Sequence, residues 1–220
     1  MESGWGFLRA EAREERHFWY SVSMQSPSEI FQHLWMHSNK DDVATMSPAE
    51  VGCLQLMLVG CKPGINKNSF AQAHKEILVG SGYVEYGEWI FDPKQLRDVY
   101  SAHADIMNVD VADLSGKSLK EIDDVTAGLL LGIPLHATQY YASHYHQAKT
   151  AGEPIKGISV NVYGHCWMES LSMDEASLKY ISRCIYALES SGLNDYTKRV
   201  MPQEWAEVYE CSLSVTGTDA

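Results

Sequence analysis

Residues 47–93 read "SPAEVGCLQLMLVGCKPGINKNSFAQAHKEILVGSGYVEYGEWIFDP", and the order of signals in this stretch decides the fold class. Ser47, Pro48 and Glu50 make a helix start. The serine oxygen accepts from the backbone N–H three residues on, the glutamate reaches back, and proline at the first helical position gives up a donor that would have had no partner. Apolar residues at Val51, Leu54, Met57 and Leu58 mark one buried helix face, and Phe70, Ala73 and Ile77 mark a second helix. "VGSGY" stops that helix, with Gly82 relieving the turn. Tyr83 to Phe91 places β-forming residues on both sides of Gly87 and predicts a tight hairpin.

The same helix start recurs outward from this stretch, at Ser26–Glu29, Ser118–Glu121 and Ser172–Glu175, with further starts at Asp92 and near Met201. Together they predict helices over 7–20, 27–38, 48–61, 68–80, 93–108, 119–131, 135–149, 173–191 and 202–210. In "GISVNVYGH", Ile158, Val160 and Val162 alternate with Ser159, Asn161 and Tyr163, which predicts a strand near 157–163, and "CSLSV" at Cys211–Val215 is its expected partner. The fold class is therefore mostly α (α+β), with a small hairpin near 83–91. The polar run "NVDVADLSGKS" (Asn108–Ser118) predicts a seam between a helical half over 1–110, holding the unit at 47–92, and another over 116–220, holding a helix pair at 119–149.

Composition narrows the function classes. At 220 residues, 45% hydrophobic and 21% charged, the chain buries a core without needing a staple. Its formal charge of −12 works against unspecific binding to phosphate backbones or anionic membranes. Five cysteines with no CxxC pair read as reduced thiols of a cytoplasmic protein. "CLQLMLVGC" and "AGLLLGIPL" are about half of the roughly 20 residues a bilayer span needs, so no membrane partner is expected. Neither GxxxxGK[ST] nor GxGxxG occurs, which removes the familiar nucleotide scaffolds.

Two stretches resemble recognition modules. Residues 47–92 resemble a winged helix in outline, with the Tyr83–Phe91 hairpin as the wing. "VTAGLLLGIPLHATQYY" (Val125–Tyr141) resembles a helix-turn-helix, with Gly132 at the turn and Leu131 and Ile133 pinning the helices. That resemblance implies that His136, Thr138 and Gln139 open an exposed second helix. Helical spacing continues the contact band through Tyr140 and His144 and assigns Ala137, Tyr141, Tyr145 and Ala148 to the core. A duplex-binding surface needs cations, yet Lys149 is the one Lys or Arg on this helix, and residues 47–100 hold five Lys/Arg against six Asp/Glu. The leading expectation is a non-enzymatic intracellular regulatory or interaction protein docking on a protein partner, with a helix-turn-helix DNA-binding regulator as the alternative. Phe18, Trp19 and Tyr20 offer an aromatic helical face to the body or to a second copy in a homodimer.

A third stretch, "YGHCWMES" (Tyr163–Ser170), resembles the nucleophile segment of papain-like and transglutaminase-like enzymes, which implies Cys166 as the thiolate of a cysteine hydrolase. Those families place their histidine after the cysteine. None follows Cys166 here, so His103, His136 or His144 would have to serve. No metal or cofactor is expected. His136 and His144 lie eight residues apart, about 12 Å along a helix, too far for one zinc. His33 and His37 share a face at i and i+4 and read as solvated surface.

Overall fold

In the computed structural model, residues 26–38, 46–66, 72–110, 113–114, 117 and 121–216 are described. The chain begins with α1 (Pro27–Ser38) and α2 (Pro48–Leu58), followed by β1 (Gly64–Asn66), α3 (Gln72–Gly80) and the hairpin β2 (Val84–Tyr86) and β3 (Trp89–Phe91). Next come α4 (Pro93–His103), α5 (Asp124–Leu130) and α6 (Leu135–Ala151). A second hairpin, β4 (Gly157–Val162) and β5 (His165–Glu169), leads to α7 (Glu175–Ser191), α8 (Leu193–Val200), a 3₁₀ turn (Gln203–Trp205) and β6 (Cys211–Thr216). The described chain thus mixes eight α-helices with two three-stranded antiparallel sheets, ordered β1-β3-β2 and β5-β4-β6.

Local chemistry explains most boundaries. α2 carries the full reciprocal cap between Ser47 and Glu50, and Asp92 caps α4 by accepting from Lys94 and Gln95. Elsewhere the caps shift. α5 starts at Asp123, whose carboxylate accepts from the amides of Val125 and Thr126, and α7 starts at Asp174, bonded to the amide of Ser177. Aspartate is at least as good an N-cap as serine, so it captures the start when it lies nearer the apolar run. The expected starts at Ser118 and the helix over 7–20 lie outside the described residues. α2 ends at Leu58 rather than residue 61 because the chain turns back through Gly60, whose N–H bonds to the Met57 carbonyl. The helix expected over 202–210 is a 3₁₀ turn, and the helical segment before it is α8, packed end to end with α7 through Gly192. β6 pairs with β4 along its whole length, Gly157 opposite Thr216 and Val162 opposite Cys211.

Two apolar cores form. One gathers Phe31, Leu34 and Trp35 of α1, Leu54 and Met57 of α2, Val160, Val162 and Trp167 of the second sheet, and Cys184 and Leu188 of α7. The other joins Trp89, Phe91 and Leu96 to Met107, Val109, Leu114, Ile122, Leu129 and Leu130. Both draw on residues before and after the 108–118 seam, so the two expected halves share their interior. Among the described residues, no helix is long and apolar enough to cross a membrane.

Candidate functional site

Chemistry-bearing side chains converge where α2 passes the β4–β5 turn. Gly52 is the reason the two come so close. A Cβ there would lie 2.9 Å from both the His165 backbone nitrogen and the Tyr163 carbonyl carbon, and nearer still to the Tyr163 oxygen. The turn itself is tight, with Tyr163 and Gly164 at positive φ and the Gly164 N–H held by Asn161 Oδ1 at 2.8 Å. Helix against turn brings Cys53, the residue after Gly52, to His165, the first residue of β5. Cys53 Sγ lies 3.4 Å from His165 Nδ1, although 112 residues separate them in the chain.

A third group completes the cluster. After the Gly60 reversal, the Lys62 backbone N–H bonds to the Leu56 carbonyl, and the side chain runs inward, 1% exposed. Its ammonium donates to the Leu131 carbonyl at the α5–α6 corner and also faces the Cys53 thiol. That corner turns through Gly132 at φ 77, and a Cβ on Gly132 would sit 3.0 Å from Lys62 Cγ, so the stretch around Leu131 walls the site. Burial pulls the Lys62 pKa down, while the neighbouring thiols of Cys53 and Cys184 oppose that by favouring its charge. Burial holds His165 well below the ordinary histidine range, and the Lys62 charge adds to the effect. His165 is therefore a neutral imidazole at physiological pH. Its Nε2 is buried and makes no hydrogen bond.

Further along β5, Trp167 and Glu169 share the inward face with His165. The Glu169 carboxylate is fully buried, accepts from the Trp167 indole N–H at 3.2 Å, and lies 3.5 Å from His136 Nδ1. The separation from His136 permits attraction, but the geometry is not that of a hydrogen bond.

The expected contact band on α6 is divided by the packing. Thr138 is buried against Gly128, where a Cβ would come within 2.9 Å of the Thr138 Cβ, and its hydroxyl bonds to the Leu135 carbonyl. It holds α5 to α6. His136 is part-exposed and turned toward Glu169, while Gln139 and His144 are exposed and Tyr140 is half-buried, its hydroxyl donating to the Lys156 carbonyl. Tyr141, expected in the core, is 36% exposed and stacks on Tyr145 at 5.2 Å, because α6 outruns the body it packs on.

Cys166 faces outward from β5, opposite in sense to His165. Its thiol donates to the Gly164 carbonyl at 3.6 Å, and burial of the sulfur pushes its pKa up. Of the histidines expected to serve it, His136 turns toward Glu169 and His144 bonds back to the Tyr140 carbonyl. The histidine that meets a thiol is its own neighbour, and the thiol is Cys53. Two signals pointed there: a glycine inside an apolar helix, which needs a packing reason because it costs about 1 kcal/mol against alanine, and a lysine inside the apolar run at 54–65. Among the described residues, no group of three or more His, Cys, Asp or Glu side chains is arranged to hold a metal ion. Comparison of the chain with protein-family models, with curated proteins and with solved structures finds no significant match.

Proposed function

We propose that the protein is a thiol-dependent acyl-transfer enzyme, a hydrolase or transferase, with Cys53 as nucleophile and His165 as general base. The observation that carries this reading is the 3.4 Å approach of Cys53 Sγ to a buried, neutral imidazole. As the sulfur attacks a carbonyl carbon, its proton passes to His165 Nδ1 and the carbonyl π electrons move onto the substrate oxygen, to return when the leaving group departs. The protonated imidazole returns the proton to the departing amine or alkoxide, leaving a thioester on Cys53. Water or an acceptor alcohol or amine then attacks the thioester, gives its proton to His165, and the sulfur departs and recovers it. The burial and the Lys62 charge that disfavour the imidazolium at rest also drive the proton onward to the leaving group.

The test uses p-nitrophenyl acetate as the acyl donor. Acetyl should accumulate on the Cys53 peptide by mass spectrometry, and His165→Ala should abolish it. Acetyl spread over lysines and the other thiols with no preference for Cys53 rejects the reading.

A second reading, docking on a protein partner, is favoured by the aromatic surface of α6, where Tyr140 pairs with His144 at 4.2 Å and Tyr141 with Tyr145 at 5.2 Å. It keeps Gln139, Tyr140 and His144 as contact residues and releases Thr138. The order α2-β1-α3-β2-β3, with sheet order β1-β3-β2, suits a winged-helix-like unit, and such units dock proteins as well as nucleic acid. A DNA-binding role is disfavoured by the single Lys149 on α6 and the charge of −12. Substitution of Gln139 and His144 by alanine should weaken capture of a protein from nuclease-treated extract, with acyl transfer to Cys53 unaltered. Capture that nuclease abolishes instead selects the nucleic-acid alternative.

A further inference from the structure

A pair of thiols borders the site, Cys184 neighbouring the same Lys62 that faces Cys53. Cys61, in the reversal after α2, and Cys184, midway along α7, are both buried and reduced, and their side chains interact. Three further contacts hold the same two segments together. Arg183 Nη2 donates to the Gly60 carbonyl at 2.7 Å, Tyr180 Oη donates to the Cys61 carbonyl at 3.2 Å, and Cys61 Sγ lies 4.0 Å from the Arg183 carbonyl. These contacts hold the reversal against the turn of α7 that carries Cys184, with the Cys61 sulfur at the carbonyl of the residue just before it.

We propose that Cys61 and Cys184 are a redox-active dithiol, closed to a disulfide by a hydroperoxide and reopened by a small dithiol. The two sulfurs are differentiated as attacking and resolving groups. The interaction with Cys184 and the exposed Arg183 guanidinium beside it pull the Cys61 pKa down, while that of Cys184 is pushed up by the same interaction and by burial. In the first step the Cys61 thiolate attacks the peroxide oxygen. The O–O bond breaks, Cys61 becomes a sulfenic acid, and the remaining oxygen leaves as water or an alcohol after taking a proton. In the second step the Cys184 sulfur attacks the sulfenic sulfur, its proton leaves with the hydroxyl as water, and the S–S bond forms. Two electrons pass from the thiols to the peroxide overall. A dithiol reductant returns them.

Closure would staple the reversal carrying Lys62 to α7. This inference does not depend on the acyl-transfer reading, since it concerns thiols that the Cys53 chemistry does not use.

The full-length reduced protein is treated with equimolar hydrogen peroxide under native conditions, alkylated with iodoacetamide, and digested without reductant. The expected product is a linked peptide pair containing Cys61 and Cys184, lighter than the separate peptides by two hydrogen atoms and lost on treatment with dithiothreitol. In Cys184→Ser, dimedone should instead trap a sulfenic acid at Cys61. Oxidation confined to the exposed Cys166 and Cys211, a link from Cys61 to a different cysteine, or a Cys61–Cys184 link that forms only in urea overturns the proposal. The wild-type link is read without any variant, so poor folding of Cys184→Ser leaves the result intact, and an absent acetyl on Cys53 does not alter it.

Discussion

Replacing Gly52 by alanine tests the packing that assembles the site. On an open helix surface the change would stabilise the protein by up to about 1 kcal/mol, through helix propensity alone. Here the added Cβ meets the His165 nitrogen and the Tyr163 carbonyl carbon at 2.9 Å, where ordinary contact begins beyond 3.4 Å. The obstructing atoms are backbone, locked in a turn with Tyr163 at φ 49 and Gly164 bonded to Asn161, so no rotamer change relieves them. Overpacking against such a wall falls at the upper end of its usual range of about 1–3 kcal/mol, and the propensity gain leaves a net loss of about 2 kcal/mol. For a chain of this length that is a fall of roughly 4–8 °C in melting temperature. Gly80, the last residue of α3, has nothing within 4 Å of an added Cβ, so Gly80→Ala is the control and should melt no lower than wild type. The assay is thermal unfolding by circular dichroism, paired with the rate of Cys53 alkylation, which should fall in Gly52→Ala as the turn moves away. A Gly52→Ala protein that melts at or above wild type with unchanged Cys53 reactivity refutes the close approach.

Acidification probes His165. Its folded pKa is depressed while the unfolded value is the ordinary 6.5, so the stabilising contribution is complete above 6.5 and is lost as pH falls below it, by up to about 1.4 kcal/mol per pH unit; His165→Phe should flatten the melting temperature between pH 5 and 6.5, and an unchanged slope counts against a buried neutral imidazole. Glu169→Ala removes the acceptor of the buried Trp167 N–H and should cost about 1–3 kcal/mol in urea unfolding; a neutral effect denies that the pair is dry. Gln55 donates to Thr197 Oγ1 and the Leu193 carbonyl and accepts from Tyr209 Oη, so Gln55→Leu should destabilise by about 2–4 kcal/mol by the same measurement; a loss below about 1 kcal/mol shows that these groups find other partners.

Elements with strong local signals were legible before the structure. The Ser47–Glu50 cap, the Asp92 cap, the Gly87 hairpin and the alternation of β4 all depend on interactions within a few residues, which sequence displays directly. β5 was hidden because "HCWME" read as a nucleophile segment rather than as a strand, and α8 because "LNDYTKRV" offers few apolar residues and borrows its burial from α1 and α2. The site was hidden for a different reason. Gly52 and Lys62 are local anomalies that mark a packing constraint without naming its partner, and only tertiary packing, a glycine helix face pressed on a turn, puts sulfur beside imidazole. Cys166 and His165 are neighbours in β5, where successive side chains point to opposite faces, so the inward-facing residue is His165.

The most direct test of the account is the rate of iodoacetamide alkylation at each of the five cysteines of the native protein near neutral pH, resolved by peptide mass spectrometry, in wild type and His165→Ala. The account predicts that half-buried Cys53 outpaces the exposed Cys166 and Cys211 and loses that lead when the imidazole is removed. Cys53 reacting more slowly than Cys166 and Cys211, at a rate indifferent to His165, contradicts it.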